Sequence, residues 1–470
     1  MDWRRMSEYV EQREIESGHK WWVLSVAAAG VLLATIDASI VNIALPTITD
    51  YFHTTVRTTA WVTISYLLII TAFLLIFGRL SDFYGQKLVF ISGMSIFTIG
   101  SGLCALSPHI SLLIAFRAFQ GLGAAMIMSN TPAIVTNAFP PGKRGMGLGV
   151  IGSAVSVGLM LGPPLGGMLI HYYGWRYIFL VNIPVGIAAV LFSLKIMKEH
   201  KADSDGNLFR LLDAILWISA IVSFVLIFGV SGRTGFDFRE AAIYSAITVV
   251  LLGCFFIRQW RSDCPLFNTS LLKNGVFMFS SSAGLFTYMG TIGLSFMIPF
   301  LLEKTFAMEP LKTGRILMII PATTVFVSPL AGFLSDRLGQ RAISTSGLLI
   351  EIISVSFLFQ LDQQSSVSRI VINLMGLGLG MGLFGSPNNS ALMGSVDHKN
   401  RGSAAGLLAT VRNLGMVSGV SIVSLIFNSA LEGQVAIEAQ NYAIAFRTAL
   451  PAIIAFVTAA AILSGARRSI

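Results

Sequence analysis

Asp37 and Arg117 are the residues of this 470-residue chain whose types and setting best suit chemistry. Each lies within a long apolar stretch, where a charged side chain costs about 2.5–3.5 kcal/mol on insertion scales and marks a function by default. Desolvation favours the protonated form of a carboxyl, and a nearby cation favours the ionised form. A carboxyl that moves between such surroundings loads and unloads a proton. Arg117 suits the partner's part, because a guanidinium stays charged and biases a carboxylate without titrating itself. The plainer alternatives are that Asp37 only hydrogen-bonds a neighbouring helix, or that the pair is a structural ion pair.

A second pair of acids sits in a repeat. Gly78-Arg79-Leu80-Ser81-Asp82-Phe83-Tyr84-Gly85-Gln86-Lys87 returns as Gly332-Phe333-Leu334-Ser335-Asp336-Arg337-Leu338-Gly339-Gln340-Arg341. Both copies fall in short loops between long apolar runs. This marks a membrane chain built from two related halves, an arrangement typical of transporters with a site between the halves. Asp82 and Asp336, each beside a glycine and a cation, could cap a helix N-terminus or pair with arginine and so latch the halves together. A third pattern is a stripe of small residues, Gly158, Gly162 and Gly166, recurring every four positions; that spacing lets two helix backbones touch. Pro163 and Pro164 beside it remove donors and bend the helix.

The elements that position these residues follow from hydropathy. The chain is 54% hydrophobic and 12% charged, with mean hydropathy +0.75, against roughly 25% charged residues in a soluble domain. Fourteen apolar runs are long enough to cross a hydrocarbon core ~30 Å thick: 21–45, 59–78, 88–106, 110–133, 145–170, 176–196, 211–231, 240–259, 275–302, 314–334, 342–361, 369–394, 402–427 and 443–464. Such segments must satisfy their own backbone, so an all-α integral membrane fold is expected. The repeated loop follows runs 2 and 10. A plain duplication of six helices would put the second copy after run 8, so two helices, runs 7 and 8, are inserted at the junction. The expected organisation is 1–196 for the first half, 197–274 for a linker and the inserted pair, and 275–470 for the second half.

With the N-terminus inside, cytoplasmic segments hold about 21 Lys/Arg and outer segments about 9, so both termini are expected in the cytoplasm. The net charge of +9 then reflects topology and anionic headgroups, and no nucleic-acid partner is implied. The polar first 20 residues and the length of the run from Trp21 argue against a cleaved signal peptide. Cys104, Cys254 and Cys264 are isolated singles, so neither a disulfide nor a metal site is expected. Gly147–Gly152 and Gly380–Gly385 match G-x-G-x-x-G, but neither follows a strand in a βαβ unit, so neither is a nucleotide site. There is no phosphate-binding loop and no catalytic cluster, and no enzyme or cofactor is expected.

Four motifs in order carry a resemblance: the repeated loop; Asp37-Ala38-Ser39-Ile40-Val41-Asn42-Ile43-Ala44-Leu45-Pro46; Arg117-Ala118-Phe119-Gln120-Gly121-Leu122-Gly123-Ala124-Ala125; and Gly158-Leu159-Met160-Leu161-Gly162-Pro163-Pro164-Leu165-Gly166-Gly167. Together they resemble the major facilitator superfamily, specifically its fourteen-helix drug:proton antiporter branch, over essentially the whole chain. The segment Gly174-Trp175-Arg176-Tyr177-Ile178-Phe179-Leu180-Val181-Asn182-Ile183-Pro184 is similar to the same branch. Ser39 stands where the family more often has Thr, and run 13 carries Arg412 where some exporters of multivalent cations carry acids.

The resemblance implies proton coupling by Asp37 and Arg117, and gating by Gly78, Asp82, Gly85, Lys87, Asp336 and Arg337. It implies an antiporter motif at Gly158, Gly162, Pro163, Gly166 and Gly167, associated with export. Asn42, Trp61, Tyr66 and Gln120 match family positions near the central cavity, which Asn388, Asn389, Arg412 and Asn413 would line from the second half. The implied activity is proton-coupled export of amphipathic, lipophilic or cationic small molecules across the cell membrane, by a monomer in contact with lipid and without a cofactor. A dedicated exporter of one metabolite, lipid or antibiotic fits the same motifs. A non-transporting sensor or scaffold would be expected to lose the intramembrane charges or gain a large soluble domain. Glu351 is an intramembrane acid that no motif claims, and its amide variant is expected to keep most transport.

Overall fold

Fourteen helices among the described residues are long and apolar enough to cross a membrane. The computed structural model describes residues 3–197, 199, 211–229, 238–262, 265–266, 268–361, 365–397, 401–432 and 439–467, with side chains at 3–18, 141 and 401 excepted. Cys264, most of the linker 195–210, the last two residues of run 7 and Arg468 lie outside them. The spans are α1 (His19–Tyr51), α2 (Val56–Tyr84), α3 (Gln86–Leu106), α4 (Ile110–Ala138), α5 (Arg144–Tyr173), α6 (Tyr177–Ile196), α7 (Leu211–Phe228), α8 (Phe238–Arg261), α9 (Gly275–Thr305), α10 (Pro310–Leu338), α11 (Gln340–Leu358), α12 (Val367–Gly394), α13 (Gly402–Glu432) and α14 (Ala439–Ala466).

Most helices overrun the apolar runs that predict them, because capping and glycine, not hydropathy, end a helix. The Thr55 hydroxyl accepts from Thr58 N at 3.2 Å and starts α2 three residues before its run. Asn274 caps α9 through Phe277 N at 3.1 Å, and Pro310 opens α10, where its missing donor costs nothing. In the repeated loops Gly85 (φ 103°) and Gly339 (φ 90°) take the positive φ that turns α2 into α3 and α10 into α11, a conformation glycine adopts readily. Each donates its N–H to a serine carbonyl at 3.0 Å, Ser81 and Ser335. Those serines bond Gly78 O and Gly332 O, both at 2.7 Å. The sequence repeat is thus a repeat of structure.

The helices form two six-helix halves and an inserted pair. In the first half α1 packs on α5, and α4 packs on both α2 and α3; in the second, α9 packs on α13, and α12 packs on both α10 and α11. The inserted α7 and α8 pack on each other, and α7 also touches α2 and α13, one helix from each half. Asp213 of α7 is buried and ion-paired with Arg258 of α8 at 2.5 Å, and Gln259 accepts from Leu266 N at 2.7 Å. This fixes the end of the pair beside the repeated loop, where Arg79 donates to Pro265 O at 2.6 Å.

The start of α1, the end of α14 and both repeated loops share one face, here the terminal face; the other is the far face. The halves meet at the far face. Lys304 of α9 donates to both carboxylate oxygens of Asp50 of α1, Arg57 N donates to Asn428 Oδ1 at 3.3 Å, and His171 stands 3.7 Å from Glu309. A Cβ on Gly167 of α5 would stand 2.3 Å from Pro310 O, and one on Gly314 of α10 would stand 2.4 Å from Pro163 O. Toward the terminal face the helices part: nothing lies within 4 Å of the Cβ position at Gly149 and Gly152 of α5, or at Gly402 and Gly406 of α13. The molecule is closed at the far face and open at the terminal face.

Candidate functional site

Asp37 lies midway along α1, fully buried (0% exposed), and Arg117 on α4 is equally buried (1%). Arg117 NH1 donates to Asp37 Oδ2 at 2.5 Å. The other carboxylate oxygen accepts from Gln120 Nε2 at 3.0 Å and from Asn182 Nδ2 at 2.8 Å. Three donors and no acceptor face the carboxylate, an arrangement that suits its ionised form.

The surroundings hold both partners in place. Gln120 lies one turn beyond Arg117 on the same face of α4; its carbonyl accepts from Arg117 NH1 at 2.7 Å, and its amide donates to Ser101 Oγ of α3 at 2.7 Å. Asn182 reaches the same serine at 3.0 Å. Arg117 Nε donates to Val62 O of α2 at 3.2 Å, and its guanidinium lies over the Tyr66 ring at 4.1 Å and the Phe179 ring at 5.7 Å. Tyr66 is itself fixed by a hydrogen bond to Ala34 O at 3.2 Å. Five helices of the first half therefore converge on one carboxylate. Arg176 prepares α6 for this by donating to Ala105 O at 3.1 Å and stacking on Trp175 and Tyr51; Val181 then interrupts the helix just before Asn182.

Breaking such a pair is expensive, because the surviving charge stays buried without a partner, at about 3–5 kcal/mol. Neutralising the carboxyl would leave the Arg117 guanidinium buried without its counter-charge in the same way.

The glycine stripe backs the same helix. Cβ atoms at Gly158, Gly162 and Gly166 would meet Thr35, Ser39 and Ile40 of α1 at 2.9, 1.8 and 2.7 Å. Ser39 donates to Gly158 O at 3.2 Å, so the hydroxyl that replaces the usual threonine joins α1 to α5. Gly167 and Pro163 belong to a different contact, the far-face closure against α10. The close packing of the stripe thus has two parts, one within the first half against α1 and one between the halves against α10.

Among the described residues, those expected to gate are not joined across the halves. Asp82 is half-buried, Asp336 and Arg337 are exposed, and Arg337 stacks on its own helix at Phe333, 4.4 Å away. Lys87 donates to Leu194 O at 3.1 Å, within the first half, and a Cβ on Gly78 would stand 4.0 Å from Ser129 Cβ of α4, also in the first half.

The cavity residues also separate. Tyr66 and Gln120 belong to the Asp37 site, while Asn42 and Trp61 are half-buried near it on α1 and α2. Asn388 is buried at the terminal end of the second half, donating to Ser280 O at 3.1 Å and accepting from Arg467 NH1 at 3.2 Å. Burial and the neighbouring Arg341 lower the pKa of that guanidinium from its ordinary value. Asn389 is exposed, Arg412 half-buried, and Asn413 bonds Ala409 O of its own helix at 2.8 Å. The second-half residues therefore do not form one cluster. Asn182 and Ser101 were missed by sequence reasoning, although Asn182 lies inside a segment quoted for its family resemblance.

The sequence pattern of the Major Facilitator Superfamily matches residues 27–420. The chain belongs to the major facilitator superfamily. It is 34% identical over 413 residues to the riboflavin transporter RibZ of Clostridioides difficile, covering 88% of this chain and 89% of that one. It is 29% identical over 404 residues to the multidrug resistance protein Stp of Mycobacterium tuberculosis, covering 85% and 74%. Among solved structures, a bacterial homologue of the human lysosomal transporter Spinster, in an inward-facing conformation, superposes with a TM-score of 0.69 at 16% identity over 95% of this chain and 96% of that one. As a superfamily member with fourteen apolar helices, this chain is a multi-pass membrane transporter for a small molecule.

Proposed function

We propose that this transporter is a proton-coupled exporter of amphipathic small molecules, lipophilic or cationic, working by alternating access in the cell membrane. The carrying observation is the buried Asp37 carboxylate, held by Arg117, Gln120 and Asn182 on the helix that also seats against α5. In this reading the terminal face is cytoplasmic. With Asp37 ionised, α1 is docked on α3, α4 and α6 and the cavity opens to the cytoplasm, where substrate enters. When the cavity opens outward, a proton from outside neutralises Asp37 and substrate leaves; the return inward releases that proton to the cytoplasm. Gly78, Asp82, Gly85, Lys87, Asp336 and Arg337 form the latch that closes the cytoplasmic face, and Gly167 with Pro163 closes the outer one. Residues 1–196 and 275–470 act as the two moving bodies, with 197–274 as an accessory segment at their edge. The protein works as a monomer and makes or breaks no covalent bond in its substrate.

A second reading is a dedicated exporter of one metabolite. It is favoured by the 34% identity to a protein named a riboflavin transporter, and it uses the same proton chemistry. A panel of dyes, antibiotics and flavins offered to energised inside-out vesicles separates the two. Broad uptake with proton release supports the first reading, and uptake of a single compound supports the second. Uptake unaffected by collapsing the proton gradient would refute proton coupling in both.

A further inference from the structure

We infer that Glu351, with Thr291, forms a second proton-binding site, in the place in the second half that the Asp37 site occupies in the first. The inference rests on the proposed proton coupling for the site's use in transport, but not for its existence.

The register between the halves fixes that place. Gly78 and Gly332 of the repeated loops are 254 positions apart. The same spacing relates Gly30 of α1 to Gly284 of α9, and Gly93 of α3 to Gly347 of α11. Gly93 lets α3 lie against α4, its Cβ position 3.0 Å from Gly123 O; Gly347 lets α11 lie against α12, 2.6 Å from Gly380 O. Carried across by that spacing, Asp37 falls on Thr291 of α9, and Ser101 falls on Val355 of α11, one turn from Glu351 on the same face. The Thr291 hydroxyl donates to Glu351 Oε1 at 2.9 Å. In the second half the carboxyl joins the first helix to the third directly; in the first half Asp37 reaches Ser101 of the third helix only through Gln120 and Asn182, which bond both. In the first half the acid is on the first helix and a hydroxyl on the third; in the second half the two are exchanged.

What is missing from the second copy determines what it can do. Arg117 and Gln120 carry across to Val371 and Leu374, so the second site has no guanidinium and no amide. Glu351 is 1% exposed, and its Oε2 is buried without a hydrogen-bond partner. The nearest cation along its element is Arg467, which donates to Ser344 Oγ at 3.2 Å, about 10 Å along the helix from Glu351; the others stand at the ends of α11. Arg369 and Arg447 bond Gln360 and Leu361 at the far end, about 13 Å along the helix by the 1.5 Å rise; Arg341 begins the other end. Of the other helices facing Glu351, α10 carries Lys312, Arg315, Asp336 and Arg337 toward its ends, α14 carries Tyr442 and Arg447 at its far end, and α9 carries Tyr288 one turn from Thr291 and Glu303 and Lys304 at its far end; no described ion pair joins any of them to Glu351. A buried carboxylate with one donor and no cation is costly, and binding a proton removes that cost without disturbing any ion pair. Thr291 is half-buried while Glu351 is fully buried, and a hydroxyl both donates and accepts. The side chain that fixes the acid is therefore also the one able to pass it a proton.

The test is infrared difference spectroscopy on the purified full chain in lipid, with pH stepped from about 4 to about 10. A protonated-carboxyl C=O band that titrates is expected in the wild type and in Asp37→Asn. It should vanish in Glu351→Gln, move in frequency in Glu351→Asp, and shift in Thr291→Val, where the hydrogen bond is lost. The Thr291→Val shift identifies the site even if Glu351→Gln folds poorly. Spectra of Glu351→Gln and Thr291→Val that superimpose on the wild type would overturn the inference. A Glu351 band that titrates while Asp37→Asn still couples transport to protons would overturn the proposed role of Asp37 alone and leave this site standing. Coupling lost in Asp37→Asn, with no titrating Glu351 band, would do the reverse.

Discussion

Gly167→Ala should move the transporter out of the conformation described here. The added Cβ would stand 2.3 Å from Pro310 O and 3.1 Å from Pro310 C, both backbone atoms, so no side chain can rotate away. The α5 and α10 backbones must separate by about 1 Å, and overpacking of this kind costs about 1–3 kcal/mol. The gain in helix propensity from Gly to Ala, up to ~1 kcal/mol, applies in both conformations and cancels. The cost arises only where the far face is closed, so it shifts the population toward the far-open form by roughly 5–150-fold. Gly314→Ala, 2.4 Å from Pro163 O, should act in the same direction. Gly166→Ala is the contrast: its Cβ meets Ile40 within the first half, so it should lower stability without shifting the equilibrium. Spin labels at exposed Lys143 and Asp397 on the terminal face, in a background without native cysteines, read the distance by double electron–electron resonance. Shortening in Gly167→Ala and Gly314→Ala, but not in Gly166→Ala, is expected. Unchanged distances in all three would refute the assignment of this contact to far-face closure.

Other outcomes follow from the same geometry. Arg117→Lys should cost at least tenfold in gradient-driven transport, because one ammonium cannot reach Asp37, Gln120 and Val62 O together; losing one charged hydrogen bond costs about 1.5–3 kcal/mol. Asn182→Ala should weaken coupling while leaving the amount of folded protein near normal, as read by proton flux per substrate moved against yield in the membrane. Lys304→Ala should shift the spin-label distance only slightly and lose its effect in high salt, since exposed ion pairs are worth about 0.2–1 kcal/mol. An impermeant thiol reagent applied to intact cells should leave Cys264 unlabelled if both termini are cytoplasmic; strong labelling would overturn that topology.

The fourteen spans were legible because each must be long and apolar on its own account, whatever it packs against. The halves were legible because a ten-residue loop repeats with its glycines, serine and aspartate in register, and those residues turn out to make the same turn twice. Asp37 and Arg117 were legible as costly charges in apolar runs. What surrounds them was not. Gln120 stood out as a polar residue near a cavity, and only the α4 face it shares with Arg117 shows that it serves the carboxylate. Asn182 and Ser101 are ordinary polar residues by type, and their role exists only where α3 and α6 meet α1. Asn388, Asn389, Arg412 and Asn413 do not gather at one place, because they lie on different faces and helix packing sends them to different neighbours.

The central claim is that Asp37 exchanges a proton for substrate. Asp37→Asn keeps the shape of the side chain and one accepting oxygen, gives up the hydrogen bonds its amide nitrogen cannot accept, and has no proton to release. The decisive measurement is proton release into a pH-sensitive dye when a compound exported by the wild type is added to energised vesicles carrying either protein. The account predicts release by the wild type, and none from Asp37→Asn, which should still reach the membrane and bind the compound. Equal proton release and equal uphill export by the two proteins would contradict it.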